Sequence, residues 1–469
     1  RTLRCSGDGR GVTASRVGTT IAVLSGIFSL ISALVVAAEA PAALQLGCWI
    51  SAAALFTALL LREEALSPIA ERSLLLLSVV AGVILIGAPL HWSDDAYRYL
   101  FDGTATLNGV HPFAYAPESP KVADWTAQVG GAINHAHLQS IYPPGAQLTF
   151  AIGASLGLGV LGWKLVNVLA LPLAYALASR SGRRCGAVSL GTAIVAHPLV
   201  LQTVCADAHV DAWALPVLAA FFLAAQHTAA RGFSAAAGAA LGVGAAFKLF
   251  PIALPVVVLG RWGAKRATLM LVAAIVTFGA LALPFAGLGE KSFGSLGVYS
   301  ATWTFNPTGW ALIRWFVAAV LSGASVPDSI EWAQAAYVLN GGVPGSDWVA
   351  RTQLVDGIAK LLSACILGGL VIWGWARSLS VEHATVVIIG ALWLLSPVVH
   401  PWYLLWLLPA ACWARHPAAL IWCGMIFFAY TANVNATLGL PWGVPLWATL
   451  AQLIPCICGH VLTRLNTRT

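Results

Sequence analysis

Long apolar runs separated by short polar stretches make up most of the chain. Segments such as 21–38 and 73–90 contain no charged side chain, and apolar runs of about 18 residues or more predict membrane-spanning helices. A spanning backbone must satisfy its own hydrogen bonds, so these segments are expected to be helical. We predict about fourteen spans, some of them shorter than the roughly 20 residues of a full crossing. The predicted spans are 17–38, 41–61, 73–90, 161–179, 187–204, 212–229, 233–247, 249–260, 266–286, 353–376, 384–399, 402–413, 417–434 and 443–462.

Basic residues between the spans predict the topology. Cytoplasmic loops are enriched in Lys and Arg, and the basic loop residues all fall on one side of the membrane if segment 146–160 does not cross it. We therefore predict that 146–160 is a helix lying at the membrane surface and that both termini are cytoplasmic. The basic residues used are Arg16, Arg62, Arg72, Arg180, Arg183, Arg184, Arg231, Arg261, Lys265, Arg266, Arg377, Arg415, Arg464 and Arg468.

Three polar regions then lie on the outer face. The first is the loop 91–145, which continues through the surface helix to about residue 160. The second is the short turn 205–211, and the third is the loop 287–352. A helix-like stretch inside the third region, 308–322, is expected to be re-entrant or interfacial. We expect the chemistry to lie on this face, first of all in the first outer loop.

Composition supports the same class and narrows the partners. The chain of 469 residues is 59% hydrophobic and 9% charged, whereas soluble domains carry about a quarter charged residues. A net charge of +7 would suggest nucleic acid as a partner of a soluble protein. Here the basic residues set topology and contact anionic headgroups of the lipid bilayer, so no nucleic-acid partner is expected. The nine cysteines have no zinc-like spacing with histidine.

Acidic residues are rare and concentrated in the first outer loop. Five of the 18 acidic residues lie there, and Asp94 and Asp95 directly follow the span 73–90. A carboxylate at the membrane boundary is partly desolvated and has a raised pKa. Such a group can act as a general base on a hydroxyl, and a carboxylate pair can also bind a divalent cation such as Mg²⁺ or Mn²⁺. Asp102 is either structural or functional, whereas Glu118 and Asp124 are expected to be solvated.

A second polar cluster lies in the turn CADAHVDAW, where Asp207, His209 and Asp211 are two residues apart. Polar groups at a membrane edge are costly and are read first as functional. This spacing suits a metal or a phosphate-bearing substrate, and the alternative is a hydrated connecting turn. Lys248 either binds a lipid phosphate as a point charge or extends its ammonium group to the membrane surface.

Further substrate-binding candidates come from both ends of the outer region. Tyr97 and Arg98 follow the acidic pair, and His400 lies in the stretch SPVVHPWY. The stretch INHAHLQSIYPPG contains three further candidates. They line a pocket for the donor or the acceptor, or else they cap the surface helix. These three are His135, His137 and Tyr142.

The string DDAYRYLFDGTATLNGVHPFAYAPESP resembles the first outer loop of the bacterial polyprenyl-phosphate-mannose-dependent mannosyltransferases, a branch of the GT-C glycosyltransferase superfamily. The pieces INHAHLQSIYPPGAQ, HVDA, FKLFP and SPVVHPWYLLWLLP follow in the order of that family. The resemblance covers roughly residues 90 to 415. Phe101, Thr104, Thr106 and the HPFAY element depart from the family pattern, which leaves the sugar and the acceptor less defined than the reaction class.

The resemblance implies an all-α polytopic membrane protein, a GT-C-like bundle of about 12–14 transmembrane helices. It implies that Asp94 or Asp95 acts as base or positions the acceptor, and that Asp211, with Asp207 or His209, forms a second acidic motif. The donor is a polyprenyl-phosphate sugar, and the reaction inverts the anomeric centre. Lys248 suits the donor phosphate. From the acidic residues themselves we also predict Asp95 and Asp211 as ligands of a divalent cation, and the sequence identifies no other cofactor.

The predicted function is transfer of a hexose, with a preference for mannose, to a hydroxyl of a glycan or glycolipid. We place the chain in a bacterial inner membrane with an extracytoplasmic active site. The alternatives are a transporter or flippase of lipid-linked sugars, and a ligase or polymerase of lipid-linked saccharides. The predicted organisation is an N-terminal hairpin 1–72, a catalytic core 73–287 containing the loop 91–160, a second outer loop 288–352, and C-terminal helices 353–469.

Overall fold

The computed structural model describes residues 9–131, 133–226, 231–287, 294–322 and 346–466. Most of these residues are helical. The strands among them form one short antiparallel hairpin, in which Arg184–Cys185 pairs with Val188–Ser189. The all-α prediction is therefore confirmed.

The helices of the N-terminal half begin and end close to the predicted spans. They are α1 (Gly9–Ala37), α2 (Ala42–Leu61), α3 (Pro68–Gly87), α4 (Asp95–Leu107), α5 (Ala123–Gln128), α6 (Pro144–Ser155), α7 (Val160–Val168), α8 (Ala170–Ser179), α9 (Leu190–Val195), α10 (Pro198–Val200) and α11 (Ala214–Gln226). Shorter 3₁₀ segments occupy Pro120–Val122 and Val210–Trp213, and Leu201–Ala206 is a π-helix.

The C-terminal half continues in the same way. Its helices are α12 (Arg231–Ala245), α13 (Leu259–Trp262), α14 (Ala264–Ala282), α15 (Leu296–Thr302), α16 (Gly309–Ser322), α17 (Ser346–Ala376), α18 (Val381–Leu394), α19 (Leu408–Ala414), α20 (Pro417–Met425), α21 (Thr431–Thr437) and α22 (Leu446–Asn466). Phe250–Val258, Leu283–Phe285, Pro401–Trp406 and Ile426–Tyr430 are 3₁₀ segments.

Seven helical segments of the described chain are long and apolar enough to cross a membrane, and six shorter apolar helices accompany them. Their total agrees with the bundle of about 12–14 helices predicted from the apolar runs. The chain is thus a multi-pass membrane protein. The segment 146–160, predicted as a surface helix, is helical over most of its length as α6, and the predicted helix-like stretch 308–322 appears as α16. The position of α6 at the membrane surface stays a prediction.

Two local features explain where the structure departs from the predicted spans. The helix α3 begins at Pro68, five residues before the predicted span, because Ser67 caps it by accepting a hydrogen bond from the Ala70 N–H at 3.2 Å. The predicted span 187–204 is broken into short helices at His197, since Pro198 cannot continue a helix.

The end of α3 is fixed in place, and this positions the first outer loop. The buried Lys164 of α7 donates to the carbonyl oxygens of Leu85 and Ala88 at 2.9 and 2.7 Å, which satisfies the last turn of α3. The helix α4 then packs along α6. Its Gly103 lies against the backbone of Phe150, where a Cβ atom would collide with the Phe150 carbonyl group.

Candidate active site

Asp94 and Asp95 stand at the beginning of α4 and share one hydrogen-bond donor. The side-chain amide nitrogen of Asn134 donates to Asp94 Oδ1 at 2.8 Å and to Asp95 Oδ1 at 2.7 Å. Asp94 is exposed, whereas Asp95 is half-buried. The amide therefore holds two adjacent carboxylates that would otherwise repel each other.

The second carboxylate oxygen of Asp95 faces Tyr99 and His209. The Tyr99 hydroxyl lies 3.4 Å from Asp95 Oδ2, and His209 Nδ1 lies 3.6 Å from the same atom. Burial raises the pKa of Asp95 to about 6, which the hydrogen bond from Asn134 opposes and the charge of Asp94 reinforces. About one fifth of the Asp95 side chain, 20%, stays exposed. A ligand can therefore reach a carboxylate whose pKa suits general base catalysis.

His209 is one end of a column of stacked rings. Its imidazole lies 3.6 Å from Trp402, Trp402 lies 4.3 Å from His400, and His400 lies 4.4 Å from Phe305, all between ring centroids. Burial lowers the pKa of His400 to about 3 and that of His209 well below its ordinary value. Both histidines are therefore neutral near pH 7. The His209 Nε2 atom is buried and has no hydrogen-bond partner in the described part of the chain.

Lys248 and Asp211 form an ion pair beside this column. Lys248 Nζ donates to Asp211 Oδ1 at 2.8 Å, and Trp406 Nε1 donates to the same oxygen at 2.6 Å. The ammonium group also lies 3.3 Å from the ring centroid of Tyr403, a cation–π contact. The Tyr403 hydroxyl is hydrogen-bonded to the Tyr299 hydroxyl. Burial lowers the pKa of Lys248, and Asp211 opposes this change.

Asp207 faces away from this pair and supports the backbone. Its Oδ1 accepts from the Trp92 N–H at 3.1 Å and its Oδ2 accepts from Gln202 at 3.0 Å. The turn itself is fixed by Trp163 and Asn167, which donate to the carbonyl oxygens of Ala208 and His209. Burial raises the pKa of Asp207 to about 7. Both carboxylate oxygens of Asp207 therefore accept hydrogen bonds from within the protein. Its role in substrate binding stays a prediction.

Arg98 and Asp102 form a buried ion pair one turn further along α4. Arg98 Nε donates to Asp102 Oδ1 at 3.1 Å, with side chains 6% and 0% exposed. Ser140 and Gln147 donate to Asp102 Oδ2 at 2.5 and 3.2 Å. One guanidinium nitrogen, Arg98 Nη2, is buried and has no partner among the residues that the structure describes. The pair ties α4 to the segment leading into α6. A role of Arg98 in substrate binding stays a prediction.

The remaining candidates lie around the rim. His135 is exposed and packs edge-on against Trp303, with ring centroids 4.7 Å apart. His137 is exposed and stands 6.3 Å from His135. Tyr142 packs edge-on against Tyr99 at 5.0 Å, so it belongs to the wall behind Asp95. Tyr97 is half-buried, next to Gly131.

The described residues contain no group of three or more His, Cys, Asp or Glu side chains able to hold a metal ion. Asp95 is engaged by Asn134, and Asp211 is engaged by Lys248 and Trp406. The divalent cation at Asp95 and Asp211 stays a prediction.

The structure brings together Asp94, Asp95, His209, Asp211 and Lys248, with His400 behind them. Sequence reasoning missed a second set of residues that complete the site: Asn134, Tyr99, Trp402, Tyr403 and Trp406. Tyr99 had a local signal, because residues four apart on a helix share a face. Asn134 had no such signal, since it lies in a loop 39 residues from its partner Asp95.

Comparison with known proteins gives a match to one family model in the C-terminal part of the chain. Residues 338–459 match the family model described as the MptB C-terminal domain. The match covers about a quarter of the chain and supports the resemblance to the mannosyltransferases given above. The matched residues include the 3₁₀ segment that carries Trp402, Tyr403 and Trp406.

Two further comparisons identify no relative from which a function can be inferred. No curated protein matches the chain. The crystal structure of ArnT from Cupriavidus metallidurans bound to undecaprenyl phosphate is 16% identical, with a TM-score of 0.41, over 82% of this chain and 75% of that chain. A similarity at this level carries no conclusion about the site.

Proposed function

We propose that this chain moves a mannose unit from a polyprenyl-phosphate donor to a hydroxyl of a glycan or glycolipid. The match of residues 338–459 to the family model of the MptB C-terminal domain supports this proposal. Asp95 is the general base. The observation that carries this proposal is the Asp95 carboxylate, which is partly exposed, held by Asn134 and raised in pKa to about 6.

The reaction proceeds by one displacement. The acceptor hydroxyl donates its proton to Asp95 while its oxygen forms a bond to the anomeric carbon, and the bond from that carbon to the phosphate oxygen breaks. Attack from the face opposite the phosphate inverts the anomeric centre. Polyprenyl phosphate leaves with the bonding electron pair. Asp95 later releases its proton to solvent, and base catalysis of this kind contributes about 10²- to 10⁴-fold.

The leaving phosphate gains negative charge and needs a cation. Lys248 supplies this cation. One N–H of its ammonium group donates to Asp211, and a second faces the Tyr403 ring. A donor N–H remains for a phosphate oxygen. Preorganised charge of this kind stabilises the transition state without reorganisation. Asp211 positions Lys248 through its ion pair, and Trp406 holds the same Asp211 oxygen.

Asp94 has a different part in this reaction. It is exposed, while Asp95 is half-buried and faces Tyr99 and His209. Asp94 raises the pKa of Asp95 through its charge and shares the Asn134 amide. It is therefore a positioning residue for the base.

The proposed site opens on the non-cytoplasmic face. The opposite end of α3 carries the basic loop residues Arg62, Arg72, Arg183 and Arg184, which the positive-inside rule assigns to the cytoplasm. A donor linked to a polyprenyl carrier suits a compartment without nucleotide sugars.

The test is transfer by the purified protein, given polyprenyl-phosphate mannose and short mannose-containing acceptors in lipid nanodiscs. Mass spectrometry of the product counts the sugars added. One added hexose supports the proposal. Addition of an oligosaccharide block would indicate a ligase or polymerase, and movement of the lipid across the bilayer without a covalent product would indicate a flippase.

Two variants connect that product to the site. Asp95→Asn removes the base, and Asp124→Asn makes the same chemical change in the same loop at an exposed carboxylate. The Asp95→Asn protein is expected to lose most of its transfer, while Asp124→Asn keeps it. Equal activity of the two variants would show that Asp95 is not the general base.

A further inference from the structure

A cavity of about 300 Å³ lies at the end of α3 that is remote from the candidate active site. Its lining includes Glu71, Arg72 and Leu75 of α3, Tyr175 of α8, Arg184 of the hairpin and Thr192 of α9. Arg72 lies near the beginning of α3 and Gly87 ends it, so this cavity is about 22 Å from the turn that leads to Asp94, at about 1.5 Å per residue. Its size is at the lower end of the range of about 300–1,000 Å³ that is typical of ligand sites.

The charged side chains that line the cavity differ in whether they have partners in the described part of the protein. Glu71 accepts from the Ser189 N–H at 2.8 Å and from Arg184 Nη2 at 3.1 Å, so its two carboxylate oxygens are both used. Arg72 forms no hydrogen bond or ion pair with any residue that the structure describes. Two guanidinium groups and one carboxylate leave a single positive charge in excess. An anion that carries one negative charge therefore matches the cavity.

An apolar stripe on α3 leads away from Arg72. Leu76, Val79 and Val83 follow Arg72 at helical spacing, on one face. They are 63%, 54% and 65% exposed. Such a stripe on a membrane protein contacts acyl chains. The cavity and the stripe together match an amphiphile with an anionic head and a hydrocarbon tail.

We propose that this cavity binds the headgroup of an acidic phospholipid of the cytoplasmic leaflet. Arg72 and Arg184 hold the phosphate by the planar donor geometry that suits phosphate oxygens, and one acyl chain lies along Leu76, Val79 and Val83. The Glu71 carboxylate repels a second negative charge, so a phosphodiester is preferred to a phosphomonoester. Polyprenyl phosphate is such a monoester, which separates this site from the donor and product of the proposed reaction.

The test is native mass spectrometry of the full chain released from nanodiscs of defined composition. Nanodiscs contain phosphatidylcholine with phosphatidylglycerol, a phosphodiester monoanion, or with phosphatidic acid, a phosphomonoester. Wild-type protein is expected to keep one phosphatidylglycerol molecule in preference to both other lipids. Equal retention of all three lipids, or preferred retention of phosphatidic acid, would overturn the proposal.

Arg72→Ala and Arg180→Ala provide matched variants. Arg180 is exposed at the end of α8, is on the same predicted side of the membrane and does not line the cavity. Arg72→Ala is expected to weaken phosphatidylglycerol retention about fivefold, while Arg180→Ala leaves it near wild type. Equal losses in both variants would indicate general attraction to a charged bilayer and would refute a specific site. Arg184 is not a suitable first variant, since its removal also breaks the Glu71 pair that fixes the hairpin.

Discussion

Asn134 and Asp95, 39 residues apart in the chain, are joined by a hydrogen bond of 2.7 Å from Nδ2 to Oδ1. The same nitrogen donates to Asp94 at 2.8 Å. A donor to a carboxylate favours its ionised form. The loop residue thus opposes the influences that raise the pKa of Asp95, which are its burial and the charges of Asp94 and Asp211. The base is consequently tuned by a segment outside the helix that carries it.

The first prediction concerns the pH dependence of the wild-type enzyme. Burial raises the pKa of Asp95 to about 6, and only the ionised carboxylate can accept the hydroxyl proton. Transfer is therefore expected to be constant above that pH and to fall tenfold per pH unit well below it. The measurement is kcat/KM from about pH 3.5 to 8.5. An acid limb centred near the ordinary Asp pKa of about 3.9 would contradict this assignment.

The second prediction is a shift of that limb by Asn134→Ala. The variant removes the hydrogen bond that Asn134 donates to the ionised Asp95 carboxylate. A hydrogen bond to a charged group contributes roughly 1.5–3 kcal/mol, so its loss raises the pKa of Asp95. The acid limb is expected to move upward by about one unit or more. Activity is then recovered at higher pH. Asn108→Ala is the control, since Asn108 is exposed and donates only to the Thr104 carbonyl group of its own helix. A uniform loss at every pH would indicate a merely structural role.

The third prediction concerns the cation beside the leaving group. Lys248→Met removes the charge that meets the phosphate, and kcat is expected to fall about 10²- to 10³-fold. Lys248→Arg is expected to keep part of the activity. Lys121→Met is the control, because Lys121 is an exposed cation of the first outer loop. An unchanged kcat in the Lys248→Met protein would show that Lys248 does not stabilise the leaving phosphate.

The fourth prediction separates stability from binding at Arg98. Arg98→Met leaves Asp102 buried without its charged partner, which is expected to cost about 3–5 kcal/mol of unfolding free energy. Thermal unfolding in detergent measures this directly. An unchanged Tm together with a raised KM would instead show that the free Nη2 atom serves the substrate and that the ion pair adds little to the fold.

Much of the helical architecture could be predicted from the sequence. Apolar length alone places most spans within a few residues of the observed helices, because lipid forces a spanning backbone to be helical. The predicted span 187–204 was wrong as a single helix, since His197 and Pro198 break it. Hydropathy does not register a proline that falls inside an apolar run.

The site was predictable only in part. Asp94 and Asp95 could be selected because carboxylates are rare in this chain and these two follow a span directly. Their partners could not be selected, because the contacts are distant in sequence. Trp406 donates to Asp211 across 195 residues, and Asn134 reaches Asp95 from a loop. Periodicity describes only neighbours along one helix.

The most direct measurement of the central claim is the single-turnover rate of mannose transfer from polyprenyl-phosphate mannose by Asp95→Asn beside Asp94→Asn. The Asp95→Asn protein is expected to bind the donor like wild type and to transfer about 10²- to 10⁴-fold more slowly. Asp94→Asn is expected to slow transfer much less, because Asp94 only positions the base. Full-rate transfer by Asp95→Asn, or a greater loss in Asp94→Asn, would contradict the assignment of Asp95 as the base.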